Sequence, residues 1–101
     1  MNIPEKLKIL GKYITVAKVD KIDDDDNFLG MWKAAERRIE LRADDDESDI
    51  NEIFLHEIIE CINDRCDLGL NHTKLSVLSE VLWQIIGDNN LDFRRDNESG
   101  V

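Results

Sequence analysis

Two stretches in the first half of the chain have the residue pattern of β-strands. Residues 13–19 are rich in β-branched side chains and are bounded by Gly11 and an acidic turn, and residues 38–43 alternate apolar and polar side chains. Such alternation predicts a strand with one packed face and one wet face. Residues 28–35 are the best candidate for a partner strand between them, and residues 7–10 are a candidate for a short first strand.

A long helix is predicted next, near residues 49–65. Its apolar positions cover most of the helix circumference; they are Ile50, Ile53, Phe54, Leu55, Ile58, Ile59, Cys61 and Ile62. Residues 49–52 have the form of a capping box, and the acidic run before them suits the positive end of the helix macrodipole. The helix is therefore expected to begin near Asp49 or a few residues earlier.

A second helix is predicted near residues 71–87. Its apolar residues centre at about 250° on the helical wheel when His72 is set at 0°. The connection from the first helix is short and contains Gly69, so the two helices are expected to pack antiparallel. Strands followed by helices indicate an α+β fold, with a small antiparallel sheet of three or four strands packed on the first helix.

Composition indicates one domain, assigned here to residues 1–93, with a polar and frayed tail at residues 94–101. The 101 residues are 42% hydrophobic and 36% charged, which is typical of a globular protein. The chain contains no stretch of membrane-spanning length and no signal-peptide pattern, so we expect a cytoplasmic protein. Cys61 and Cys66 are expected to be packed thiols in a reducing compartment.

The chain carries 23 acidic and 13 basic residues, a formal net charge of −10. This balance argues against binding to a nucleic-acid backbone, which requires clustered lysine and arginine. A protein that mimics nucleic acid is permitted by the charge, although no other feature supports it.

The first predicted helix carries the motif His56-Glu57-x-x-Glu60, which differs by one residue from the zinc-peptidase signature H-E-x-x-H. Residues four apart on a helix lie one above the other, so His56 and Glu60 can hold one cation together. Glu57 falls within the apolar arc, where a carboxylate is costly unless a cation or a fixed hydrogen bond compensates it. The alternative is an ordinary helix whose glutamates bend out to solvent.

A third ligand is expected from the second helix. His72 begins that helix, near the level of Glu60, and lies at the edge of its predicted packed face, whereas Glu80 lies almost opposite this face. We therefore favour His72 over Glu80. In the alternative interpretation His72 has no ligand role and simply follows Asn71, the better helix cap.

These segments together resemble a known family. The motif within residues 54–62, the connection 68–72 and the Leu-rich helix that ends in residues 83–89 look like the small zinc-peptidase-like proteins of phages and prophages, which are similar to a minimal zincin. The resemblance implies zinc, or another divalent transition metal, bound by His56, Glu60 and His72, with Glu57 as general base. Glu60 departs from the pattern, since most zincins have a second histidine there. A carboxylate oxygen is a legitimate zinc ligand, but it weakens the Lewis acidity of the site.

Two classes of function follow. The first is a metal-dependent hydrolase, most plainly a zinc peptidase that aligns a peptide or protein substrate along an edge strand. The second is a non-enzymatic, acidic phage or prophage interaction protein that keeps the zincin scaffold. Neither a nucleic acid nor a membrane is expected as a partner, the oligomeric state is open, and a phage-encoded protein would reside in the host cytoplasm.

Overall fold

Four strands and two long helices follow one another along the chain. The computed structural model describes residues 3–25, 27–43 and 47–91, without the side chains of residues 47 and 48. The elements in order are β1 (Lys6–Ile9), β2 (Lys12–Val19), β3 (Gly30–Lys33), a short 3₁₀ helix (Ala34–Glu36), β4 (Arg38–Arg42), α1 (Glu47–Cys66) and α2 (His72–Asp88). The predicted α+β class, with a small sheet and two helices, is confirmed.

The strands form one sheet in the order β1-β2-β4-β3. The pairs β1–β2 and β3–β4 are antiparallel, as predicted, but β2 and β4 run parallel, with Val16 opposite Ile39. The sheet is therefore mixed rather than wholly antiparallel, and β3 lies at an edge instead of between β2 and β4. The burial of each strand explains this order: Ile39 and Leu41 of β4 are fully buried and require a central position, whereas every residue of β3 is only half-buried.

Helix α1 packs on one face of the sheet and closes the core. The core side chains come from both layers, and the fully or nearly buried ones are Ile9, Ile14, Val16, Ile39, Leu41, Ile50, Phe54 and Cys61. Within α1, the most buried of these side chains are spaced by seven or four residues and lie along one seam of the helix. Glu57 lies on this same seam and is buried with them.

Helix α1 begins and ends close to the predicted residues, but two details at its ends differ from the prediction. The helix begins at Glu47, so Asp49 lies inside the helix and is not the cap of a capping box. At the other end Cys61 is buried, as predicted, but Cys66 is exposed. The Asn63 amide donates to the Leu70 carbonyl at 3.0 Å and accepts from the Leu70 N–H at 2.9 Å. These two bonds fold the connection back along α1.

Helix α2 begins with the predicted cap, because the side chain of Asn71 accepts a hydrogen bond from the Lys74 N–H at 2.9 Å. Its rotation, however, was predicted wrongly. Leu75, one of the apolar residues expected to pack, is buried together with Ser79. Four others that were expected to pack are exposed, namely Leu78, Val81, Leu82 and Ile85. The reason is that α2 packs mainly on α1 and not on the sheet, so only a narrow seam is covered, and the small Ser79 lies on that seam.

Two remaining expectations concern the C-terminal tail and membrane-spanning segments. The tail predicted to be frayed, residues 94–101, lies outside the described residues. Among the helices that the structure describes, none combines the length and the apolar character needed to cross a membrane.

Candidate metal centre

The motif on α1 forms a compact group of donors. Ligand atoms of His56, Glu57 and Glu60 all lie within 4.8 Å of one another. His56 and Glu60 are half-buried on the flank of the helix, and Glu57 is buried toward the sheet. Spacing of three and four residues brings these side chains together on consecutive turns, as the sequence predicted. The group could hold a metal ion.

Glu57 is the least solvated of the three donor residues. Its side chain is buried, and its Oε1 atom has no hydrogen-bond partner among the described residues. The other oxygen, Oε2, accepts the backbone N–H of Trp32. Burial, and to a smaller extent the charge of Glu60, raise the pKa of Glu57 to about 8, although the Trp32 hydrogen bond opposes the rise. Without a cation, this carboxyl is therefore mostly protonated at neutral pH.

Gly30 of β3 makes this arrangement possible. A Cβ atom on Gly30 would lie 2.5 Å from Cγ2 of Ile53 and 3.2 Å from both Cγ and Oε2 of Glu57. Any side chain here would push β3 away from α1 and would disturb the buried carboxylate. Gly30 lies within the predicted strand 28–35, but no role was predicted for it. A glycine inside a strand pattern is itself a signal of close backbone approach.

The ring of His56 is held by α2 in one orientation. Nδ1 of His56 lies 3.1 Å from Oγ of Ser79, and that hydroxyl donates its only proton to the carbonyl of Ser76 at 3.0 Å. The Ser79 oxygen must then accept from His56, so Nδ1 carries a proton, and in the neutral ring Nε2 keeps its lone pair. This tautomer leaves Nε2 free to bind a metal. Burial also lowers the pKa of His56, with the charge of Glu60 acting in the opposite direction. No signal in the sequence pointed to Ser79.

The structure brings His72 to the motif, where it lies beside His56. The two imidazole rings are 5.8 Å apart, centroid to centroid, in an edge-to-face arrangement. Nε2 of His72 lies 3.5 Å from Oγ of Ser76. The ring is exposed and stands outside the compact group formed by the three motif residues. Whether it acts as the third ligand stays a prediction.

Glu80, the rival ligand, lies closer to the motif than predicted. Because α2 is rotated relative to the expected orientation, Glu80 and His72 both line one pocket at the motif. This pocket is bordered by three elements: the start of β3 with the residues before it, helix α1 and helix α2. Its lining residues are Asn27, Phe28, Leu29, Gly30, Glu52, Ile53, His56, Glu57, His72, Ser76, Ser79 and Glu80.

The fold and the site together define an α+β protein with a candidate His/Glu metal group on its first helix. Comparisons of the chain with protein-family models, with curated proteins and with solved structures found no significant match. The resemblance to minimal zincins therefore depends on the sequence motif at residues 56–60 and on the segments that follow it.

Proposed function

We propose that the protein is a zinc-dependent peptidase in which His56, Glu60 and His72 hold the metal and Glu57 is the general base. The main support is the buried, unpartnered Oε1 of Glu57 beside the donors of His56 and Glu60. Buried polar atoms in folded proteins nearly always have a partner, and those that lack one often belong to a functional site. A cation beside Glu57 removes much of the cost of ionising this carboxyl.

The donor set fits zinc. Two imidazoles and one carboxylate are a ligand combination found in catalytic zinc sites, which keep one position open. Ser79 accepts the Nδ1 proton of His56, which leaves Nε2 to face a metal, and burial lowers the pKa of His56, which favours the neutral ring. When bound, zinc polarises a carbonyl group and makes a water molecule easier to deprotonate. Glu57 would take the proton on Oε1, because Oε2 is occupied by the Trp32 N–H.

The edge strand β3 offers a place for an extended peptide. The Leu29 carbonyl accepts from the Arg42 N–H at 3.0 Å, so residue 29 points its backbone groups toward β4. In an antiparallel pair these directions alternate, and the N–H and carbonyl of Gly30 therefore point toward the open edge. A peptide that pairs with Gly30 would pass beside His56 and Glu57. Phe28 and Leu29 are exposed at the same pocket, which favours a substrate with an apolar side chain near the cleaved bond.

The metal site is tested by elemental analysis of protein purified without chelator. We expect about one zinc per chain in the wild type, with loss of metal in His56→Ala and in His72→Ala. Glu52→Gln is a matched control, because Glu52 lines the pocket without belonging to the proposed ligand set. Stoichiometric metal that survives both histidine substitutions would refute the site.

The catalytic role is tested by hydrolysis of a broad peptide library in the presence of zinc. General-base catalysis typically contributes about a hundred- to ten-thousand-fold, so Glu57→Gln should remove most turnover. Metal content should remain unchanged, since Glu57 is not a proposed ligand. Wild-type protein that binds zinc fully but cleaves no peptide would contradict the peptidase proposal.

That result would favour a second candidate, a non-enzymatic interaction protein built on the same scaffold. The specific observation in its favour is the row of exposed apolar residues on α2. Such a row is a candidate binding surface.

A further inference from the structure

Helix α2 presents a continuous row of apolar side chains to solvent. These residues, here called the α2 stripe, are Val77, Leu78, Val81, Leu82 and Ile85, and each is between 37% and 55% exposed. Their spacing of three and four residues places them on one side of the helix. That side is turned away from Ser79, which contacts His56, so the stripe is a surface separate from the metal centre.

The size of the stripe is sufficient for a specific contact. The five side chains expose about 400 Å² of apolar surface, which is comparable to the largest patches found on monomeric proteins. Two such stripes and the polar residues that flank them would bury about 1,000 Å² or more, the lower end of the range for biological interfaces. Contact between two copies of the stripe thus reaches the area that a weak dimer requires.

We propose that the α2 stripe is the interface of a symmetric dimer of this chain, in which the two α2 helices cross antiparallel. The charges at the two ends of the stripe support this choice of partner and direction. Lys74 and Asp88 lie seven residues before and seven residues after Val81, so all three lie on nearly the same line along the helix. A twofold axis at Val81 would place each Lys74 beside Asp88 of the other copy.

A parallel arrangement of the two helices would bring like charges together at both ends of the stripe. Between its ends α2 has a single charged residue, Glu80, and this side chain lines the metal pocket instead of the stripe. Chains with a net charge of −10 repel one another over most of their surface. They meet with the least repulsion through this nearly uncharged helix.

The test is sedimentation velocity of the full chain from about 1 to 200 µM, a range in which a weak dimer forms by mass action. We expect the wild type to pass from monomer to dimer. Leu78→Glu and Val81→Glu should remain monomeric throughout and keep the wild-type circular dichroism spectrum. Leu68→Glu is the matched control, because Leu68 is 54% exposed but lies outside the stripe, and this variant should dimerise normally.

Charge exchange gives a second test with little risk to folding, since Lys74 and Asp88 are both exposed. Lys74→Glu should weaken the dimer about tenfold, because two favourable pairs become repulsive. The double variant Lys74→Glu/Asp88→Lys should restore it. Wild-type protein that is monomeric over the whole range would overturn the proposal. The occupant of the stripe would then have to be a different protein or residues 92–101 of this chain. A dimer that tolerates Leu78→Glu and Val81→Glu would overturn it as well.

Discussion

Replacing Glu57 with glutamine in the metal-free protein should make folding more stable at neutral and alkaline pH. Glutamine has nearly the same shape as glutamate but cannot ionise. The side chain of Glu57 is only 4% exposed, and burial, followed by the charge of Glu60, raises its pKa from 4.5 to about 8. In the unfolded chain this carboxyl returns to its ordinary pKa, so the folded and unfolded states bind protons differently.

The sign and the size of the effect follow from this difference. Between about pH 4.5 and pH 8 the folded state keeps a proton on Glu57 that the unfolded state has lost, so the free energy of unfolding falls as pH rises. Each tenfold difference in proton affinity corresponds to about 1.4 kcal/mol. The loss on passing through this window is thus on the order of 4 to 5 kcal/mol, a large part of the 5 to 15 kcal/mol typical of a whole domain.

The assay is urea unfolding in the presence of a chelator, from about pH 5 to about pH 9. Wild-type stability should fall across this range, whereas Glu57→Gln should lose most of the slope and become the more stable protein above about pH 7. Glu52→Gln, a half-buried glutamate of the same helix, controls for the loss of one negative charge and should follow the wild type. An equal slope in wild type and Glu57→Gln would refute the energetic account of this carboxyl.

Further predictions concern the neighbours of the motif. Gly30→Ala should destabilise the protein by about 1 to 3 kcal/mol in the urea-unfolding assay, because the added carbon overlaps helix α1. Gly87→Ala, with open space at its site, should stabilise the protein by about 0.5 to 1 kcal/mol in the same assay. Ser79→Ala should reduce zinc affinity about ten- to a hundredfold by releasing the ligand ring, as measured by chelator competition, and unchanged affinity would contradict the tautomer argument. His72→Ala should reduce zinc affinity more than Glu80→Ala in that titration, and the reverse order would assign the third ligand to Glu80.

The elements of this fold could be predicted from the sequence because their patterns are local. The alternation around Ile39 and the apolar arc around Phe54 each specify an element without information from the rest of the chain. The order of the strands could not be predicted in this way. Whether β3 lies inside the sheet or at its edge depends on which strand has both faces covered, and this is a property of the whole sheet. The parallel pairing of β2 with β4 has the same origin.

The rotation of α2 could not be predicted from the sequence for a different reason. An apolar stripe predicts that a helix face is covered, but not by what. Leu75 packs as predicted, but the second buried residue of α2 is Ser79, and Leu78 and Ile85 are left exposed. A serine on the packed seam permits close approach and supplies the hydrogen bond to His56. Such contacts depend on tertiary structure, and a helical wheel does not contain them.

The candidate site was predictable in its donors but not in their positioning. Spacing alone brings His56, Glu57 and Glu60 together, yet the state of each donor is set by residues far away in sequence: Gly30 admits the buried carboxylate, and Ser79 fixes the imidazole. The same two elements whose placement the sequence did not predict, β3 at the sheet edge and α2 turned toward the pocket, also leave the pocket open to a partner. At this edge Glu57 accepts the outward N–H of Trp32, whereas Gly30 lies beside the pocket. Burial sets this edge position, and the outward-pointing backbone groups of Gly30 make it a place where the peptidase proposal expects an extended peptide to pair.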